Sequence, residues 1–270
     1  MYNETSVHFG AMIDRQGERH GGTDRTLFAL NVQSPPAPRA QLLARWLQEQ
    51  NWDILALTEL SSGKGSELLI EELQLAGYRA LTQRPDARDY AAAILWRNCK
   101  VEAITHKPVE LGPRVQAVGL SDPGQGLLLV TAYVPALNLN NAERRPAFLL
   151  RLKAWLESIR QAGSQAVVIG DLNIVEPHHV PRVPAFEFEQ PFAYGLFTEA
   201  GLVDAFRYVS PLSCEHSWYD RNASGQRIDH ALVSGSLVDT VMACRYVHET
   251  RDLKLSDHSG LLLRLAAYER

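Results

Sequence analysis

Cysteine is scarce in this chain of 270 residues: Cys99, Cys214 and Cys244 are the whole complement. An odd number at wide, unequal spacings builds neither a secreted disulfide framework nor a zinc-ligand pattern, so the three read as reduced thiols. Long apolar runs are missing as well. None approaches the roughly 20 residues that cross a bilayer, and the first 25 positions hold no hydrophobic signal core. Basic excess is a third absence. The net charge is -4 and the pI is near 6.1, whereas an extended nucleic-acid binder carries a basic face that displaces counterions from phosphates. Repeats, charge runs and low-complexity stretches are not found, and the proline-rich piece SPPAP at 34–38 is too short to link domains. These absences point to a cytoplasmic protein with no membrane contact and no obligate protein partner.

What is present suits a large core: 46% of residues are hydrophobic and 21% charged. Residues 1–25 are polar and contain glycine, which predicts a flexible tail, and 26–270 read as a single domain. Within it, strand-like apolar runs alternate with amphipathic helices: TLFALNV, a helix near 39–50, DILALTEL, then a helix near 65–76 that Gly77 stops. The middle is richer in strands. YAAAILWR, KVEAIT, RVQAVGL and GLLLVTAYV, broken by turn residues such as DPGQG at 122–126, are expected to be consecutive antiparallel strands. A helix over 142–162 carries Phe148, Leu152, Trp155, Leu156 and Ile159 on one face, a core-packing stripe. AVVIGDLNIV, a short helix near 192–200, RIDHALVS, TVMACRYV and GLLLRLAA complete the series. Two sheets packed face to face with helices outside accommodate this order. A parallel nucleotide-binding sheet suits it less, because several neighbouring strands have only turns between them.

Acidic and amide residues recur where these strands leave the core. Asn31 ends TLFALN, Glu59 ends DILALTE, Asp171 and Asn173 end VVIGDLN, and Asp257 with His258 precede the last strand, while Tyr133 and Asp229 lie late or early in two others. Any one of them reads as a cap or turn former, and His258 alone as a structural histidine. Together they form an oxygen-rich set suited to Mg²⁺, which takes one or two carboxylates, keeps waters and accepts phosphate oxygens. In GDLN a strand-like backbone would point Asp171 and Asn173 the same way; in SDH an extended chain would turn Asp257 and His258 apart.

NVQS, ALTEL, AYVP, GDLNIV, GLVDAFR, SWYD, GQRIDHALVS and LSDHSG occur over roughly residues 28–265 in an order that resembles the exonuclease III and apurinic endonuclease family. That resemblance implies a four-layer α/β sandwich, two packed mixed sheets flanked by helices, with one phosphoester-cleaving site. It implies Mg²⁺, with Mn²⁺ as a possible substitute, and as substrate DNA, most naturally a duplex with an abasic site or a 3′ end. By the resemblance Glu59 is the principal metal ligand, with Asn31 nearby and Asp257 completing or polarising the site. Asp171 orients or activates the attacking water, Asn173 holds the phosphate, His258 binds phosphate with Asp229 as its carboxylate partner, and Trp218 walls the pocket for an abasic sugar. A carboxylate beside an imidazole raises its pKa and keeps a positive donor toward phosphate, and a nearby cation is expected to keep Asp171 ionised. Tyr133 is expected to donate through its phenol, and Arg227 to brace the RID segment.

Three features depart from the repair enzymes of that family: Ala136 follows AYVP where a polar residue is often found, Gln226 stands where a bulky apolar residue is common, and FEFEQPFAY at 186–194 keeps only Phe186 and Glu189 of a segment that usually reads like FxPEER. They keep open a phosphoesterase acting on a small or non-DNA substrate. A scaffold that binds nucleic acid or a partner without catalysis is a third reading, disfavoured because every metal and phosphate position is retained.

Overall fold

The computed structural model describes residues 24–104, 107–122, 125–184 and 190–267. In chain order the elements are β1 (Arg25–Asn31), α1 (Ala37–Glu49), β2 (Ile54–Leu60), α2 (Lys64–Leu75), β3 (Arg79–Thr82), β4 (Ala91–Trp96), β5 (Val101–Ala103), β6 (Val115–Asp122) and β7 (Gln125–Ala132). There follow α3 (Arg144–Gln161), β8 (Gln165–Asp171), α4 (Gln190–Glu199), β9 (Leu202–Asp204), α5 (Ala205–Val209), β10 (Trp218–Tyr219), β11 (Gly225–Gln226), β12 (Asp229–Ser234), β13 (Val241–Val247), α6 (Glu249–Asp252) and β14 (Gly260–Leu265).

The long strands form two mixed six-stranded sheets, ordered β13-β14-β1-β2-β4-β3 and β5-β6-β7-β8-β12-β9. Alternate residues of each strand serve different layers, because successive side chains leave opposite faces. From β1 and β2, Leu27, Ala29, Ile54 and Ala56 enter the core between the sheets with Leu129, Val167, Ile169 and Ala231 of the second sheet. Phe28, Leu30, Leu55 and Leu57 pack outward against Leu43, Leu47, Leu69 and Leu73 of α1 and α2. On the far side Val130, Ala132, Ala166 and Val168 pack on Phe148, Leu152, Trp155, Leu196 and Phe197 of α3 and α4. The result is four layers, helix, sheet, sheet, helix. Sheets covered on both faces explain why the strands read as continuous apolar runs.

One sequence expectation is corrected here. β4 and β5 are not partners: β4 pairs with β2 and β3 in the first sheet, whereas β5 opens the second sheet by pairing with β6. Arg97–Lys100 carry the chain across, and the apolar pattern of two strands buried alike does not reveal which sheet each joins. Only β5, β6 and β7 form the expected antiparallel run. At the expected turn over 122–126 Asp122 pairs with Gln125 across residues 123–124, which lie outside the described residues, as do residues 1–23 of the expected tail, β1 already beginning at Arg25.

β1 and β2 run parallel, as do β7 and β8. Their carboxyl ends open on a common rim, where the antiparallel strands β12 and β14 begin at Asp229 and Gly260. Gly170, the residue before Asp171, holds φ at +144°, and a Cβ there would stand 2.6 Å from the Ala132 carbonyl oxygen. Gly170→Ala is therefore expected to lower stability by about 1–3 kcal/mol, read as a fall in chemical-denaturation midpoint, because both backbone strain and a clash with β7 are imposed.

Candidate active site

The rim is assembled by departures from regular strand geometry. β2 slips register against β4 between Leu57 and Leu60, and Glu59 within that bulge has φ of +60°. A bulge with a left-handed non-glycine residue re-aims a side chain at the end of a strand and stores strain where the chain has a task. Asn31, the last residue of β1, meets it: Asn31 Nδ2 donates to Glu59 Oε2 at 2.8 Å and to Asp171 Oδ2 at 2.8 Å. Its own Oδ1 accepts from Gln33 N at 2.8 Å. Tyr133, directly after β7, donates its hydroxyl to Glu59 Oε2 at 3.1 Å.

The segment after β8 differs from the strand-like expectation. The strand ends at Asp171, and Asn173 takes φ of +49°, so that its backbone N–H donates to Asp171 Oδ1 at 2.9 Å and its Nδ2 to the Val134 carbonyl at 3.0 Å. Asn tolerates the left-handed region because its short polar side chain bonds locally. A turn, not a strand, brings the Asn173 backbone N–H onto the Asp171 carboxylate.

Asp229 lies opposite Asp171 in the β8–β12 pair. His258 Nδ1 donates to Asp229 Oδ2 at 2.8 Å, and all three of Asp171, Asp229 and His258 are buried. Ser256 Oγ accepts from His258 N at 3.1 Å and donates to the Asn31 carbonyl at 2.6 Å, tying the SDH loop to the end of β1. Asp257 leaves that loop toward Trp218, whose Nε1 donates to Asp257 Oδ2 at 3.0 Å. Thus Asn31, Glu59, Tyr133, Asp171, Asn173, Asp229 and His258 are joined by direct or shared hydrogen bonds, while Asp257 and Trp218 pair beside them.

Burial and neighbouring charge set the protonation states. Burial lowers the His258 pKa, but Asp229 at hydrogen-bond distance, with help from Asp171 and Asp257, outweighs it and takes the pKa up to about 10. The ring is an imidazolium at neutral pH. Burial, then the Asp171 and Glu59 carboxylates, push Tyr133 far above the usual phenol range, so it stays a donor. Asp171 is raised by burial and then by Asp229, with His258 acting the other way.

A carboxylate so raised calls for additional positive charge, and the rim contains an atom suited to it. Asp257 Oδ1 is buried and has no hydrogen-bond partner among the described residues. Together with the half-buried Glu59 it offers the hard oxygen donors that a divalent cation takes. Asp171, Asp229 and His258 also bring one ligand atom each within 4.8 Å of one another. Three commitments make that second cluster the poorer metal cage: His258 Nδ1 is bonded to Asp229, and both oxygens of Asp171 already accept hydrogen bonds.

Several residues that hold this rim were not singled out in the sequence. Arg39 Nη1 donates to the Val32 carbonyl at 3.0 Å and the Leu255 carbonyl at 2.8 Å, and Nη2 to the Gln33 carbonyl at 2.6 Å, with Asp257 and Glu59 near enough to act on its charge. It joins the loop after β1 to the loop before β14. A cation in the first turn of a helix opposes the helix dipole, and that is the signal that could have found it. Arg145, fully buried, does the same on the second sheet, donating to the Pro135 carbonyl at 2.5 Å and the Asn173 carbonyl at 2.7 Å. Behind the rim, buried Arg227 donates to Glu176 Oε2 at 2.5 Å and Asp204 Oδ2 at 2.8 Å. Arg207 also pairs with Glu176.

The sequence pattern of the Endonuclease/Exonuclease/phosphatase family matches residues 28–258. The chain belongs to this family. No curated protein sequence matches it significantly. Among solved structures, family folds superpose at low identity. An AP endonuclease from Leishmania major, LMAP, gives a TM-score of 0.75 at 18% identity, covering 91% of this chain and 89% of that one. The 3′ phosphatase NExo from Neisseria, bound to a product DNA hairpin, gives 0.72 at 20% identity over 89% of this chain and 99% of that one. An AP endonuclease from Archaeoglobus fulgidus gives 0.70 at 21% identity over 88% and 98%. These likenesses establish that this family member has the four-layer fold.

Two outcomes follow for this family member. Replacing Arg39 by Ala or Lys should lower stability by about 1–3 kcal/mol, read as a fall in chemical-denaturation midpoint, since neither side chain reaches three carbonyls; an unchanged midpoint in both would show the loop tie to be dispensable. Glu176 has its pKa held at about 2: burial opposes this, but its hydrogen bonds to Arg207 and Arg227 prevail. Its folded pKa lies below the unfolded value, so its contribution is complete above about pH 4.5 and disappears as pH falls toward 2. Glu176→Gln should therefore cost about 1–3 kcal/mol at pH 7, with the gap from the parent protein narrowing in acid melts at pH 3.

Proposed function

We propose that this protein is a divalent-metal-dependent phosphodiesterase of the exonuclease III kind, acting on DNA at abasic sites or at 3′ ends. The observation that carries the reading is the joining, at one rim, of Glu59 and Asp171 through Asn31 and of His258 to Asp229. Mg²⁺ is the cation in this reading, with Mn²⁺ as substitute. Glu59 and Asp257 would hold it with Asn31 alongside, and when bound it would polarise a phosphate oxygen as a Lewis acid.

The protein's own groups have distinct tasks in this reading. Asp171, anchored by Asn31 and the Asn173 N–H, orients the attacking water and takes its proton. Imidazolium His258 donates from Nε2 to a phosphate oxygen while Asp229 fixes the ring through Nδ1. Asn173 is the residue assigned to hold the phosphate in this reading, its Nδ2 donating to the Val134 carbonyl in the free protein. Tyr133, a donor bound to Glu59, fixes that carboxylate and is available to developing charge. Trp218, held by its bond to Asp257, forms the wall against which an abasic sugar would lie. The AP endonucleases of Archaeoglobus and Leishmania and the Neisseria 3′ phosphatase with its DNA hairpin support DNA as the substrate class.

One observation favours a smaller substrate instead. Gln226 pairs directly opposite Trp218 in β10–β11, placing a carboxamide on the same side as the indole. Incubation with an abasic duplex and, separately, with nucleotides separates the two readings: strand cleavage supports the first, and phosphate release from nucleotides alone supports the second. In the productive assay Asp171→Asn should reduce kcat by about 10²- to 10⁴-fold with a modest fall in melting temperature, because the carboxamide keeps only one of the two acceptors that Asn31 Nδ2 and the Asn173 N–H use. Undiminished turnover would remove Asp171 from the chemistry.

A further inference from the structure

The end of the sandwich opposite the rim carries a second concave feature. β1 begins there at Arg25, β3 at Arg79, and β4, antiparallel to β2, ends there at Trp96. With β5 of the second sheet these ends surround an open cavity of about 1050 Å³. A seven-residue strand such as β1 separates it from the rim, roughly 20 Å. The proposed catalytic groups do not reach it.

Its wall is strongly one-sided in charge. Among the described residues Arg25, Arg79, Arg97 and Lys100 line it with the carboxylate of Glu102, and Asp53 is near enough to act on Cys99 in the wall, although the whole chain carries a net charge of -4. Arg97 is held in place by donating to the Trp52 carbonyl at 3.1 Å and Asn51 Oδ1 at 2.6 Å, with its guanidinium 4.5 Å above the Tyr78 ring. Arg79 and Lys100 are exposed and have no hydrogen bond or ion pair with any described residue. Trp96, Cys99 and Val101 form its apolar floor, the partly buried edge of the core between the sheets.

Cations at the mouth and an indole on the floor suit an anion that also has a flat apolar body. Guanidinium and ammonium groups take phosphate oxygens through charge-assisted bonds, and an aromatic ring accepts a base on its face. We propose that this mouth is a binding site for a nucleoside monophosphate, with the base against Trp96 and the phosphate on Arg79, Arg97 and Lys100. The assignment does not depend on the catalytic reading above.

Calorimetry on the full chain in EDTA, with 5′-dAMP as ligand and deoxyadenosine and inorganic phosphate as separate probes, tests it. Expected is binding of 5′-dAMP, with each partial probe weaker by about tenfold or more, since each forfeits one half of the site. Arg79→Glu with Lys100→Glu should weaken 5′-dAMP by at least about tenfold, and Arg79→Gln with Lys100→Gln should do so in the same direction if the charge reversal perturbs folding. His258→Ala should leave the affinity unchanged. The proposal is overturned if 5′-dAMP does not bind, if deoxyadenosine or inorganic phosphate alone binds equally well, or if His258→Ala abolishes binding while the Arg79 and Lys100 variants keep it. DNA cleavage by those variants, measured without nucleotide, is expected at the parental rate, and its absence from the parent would fail the catalytic reading without touching this one.

Discussion

One amide nitrogen, beside the Tyr133–Glu59 and His258–Asp229 bonds, bridges carboxylates of both sheets at their common rim. Asn31 Nδ2, from the first sheet, lies 2.8 Å from Glu59 on its own sheet and 2.8 Å from Asp171 on the other. The rim therefore concentrates negative charge where water is scarce: Asp171 and Asp229 are buried, with Glu59 and Asp257 close by. Like charges in low dielectric cannot persist without donors or cations. The protonated His258, the Asn31 amide and the Asn173 N–H supply part of that requirement, and the unsatisfied Asp257 Oδ1 marks where more positive charge is needed. The same electrostatic demand that makes the rim costly to fold makes it receptive to a cation and to a phosphate group.

The surrounding arginines serve geometry more than net stability. Buried ion pairs often contribute little against an apolar alternative, but removing one partner leaves an uncompensated charge. Arg39 and Arg145 each bind backbone carbonyls from two loops, one pair on each sheet, so the loops that bear Asp257 and Asn173 are referenced to the scaffold. Arg227, between Glu176 and Asp204, fixes the chain just ahead of Asp229 in the same way. Side chains set on strand ends and held by such ties have little freedom to drift, which is what the proposed positioning of a water against phosphate would demand.

Much of this was legible in the sequence. Strand runs ending in Asn31, Glu59 and Asp171 put polar residues at core exits, and the ordered motifs from NVQS to LSDHSG gave the family and the layered fold. The expected bracing role of Arg227 corresponds to its buried pairs with Glu176 and Asp204. What escaped has local physical causes. β3 is only four residues, exposed at both ends, and β9, β10 and β11 are shorter still, so no periodicity could mark them. The placing of β4 and β5 in different sheets depends on pairing, which apolar runs do not encode. The left-handed turn at Asn173 and the bulge at Glu59 are set by tertiary contacts across the rim, and the Arg39 bond to the Leu255 carbonyl spans 216 residues of sequence.

The proposed function divides labour at the rim, with the cation on the Glu59 and Asp257 side and the Asp229–His258 pair kept for phosphate. Anomalous diffraction from crystals soaked in Mn²⁺ would locate the ion directly. An ion bound by Glu59 and Asp257 Oδ1, with the His258 Nδ1 bond to Asp229 intact, is the predicted result. An ion seated among Asp171, Asp229 and His258, breaking that bond, or no ion at the rim at all, would contradict it.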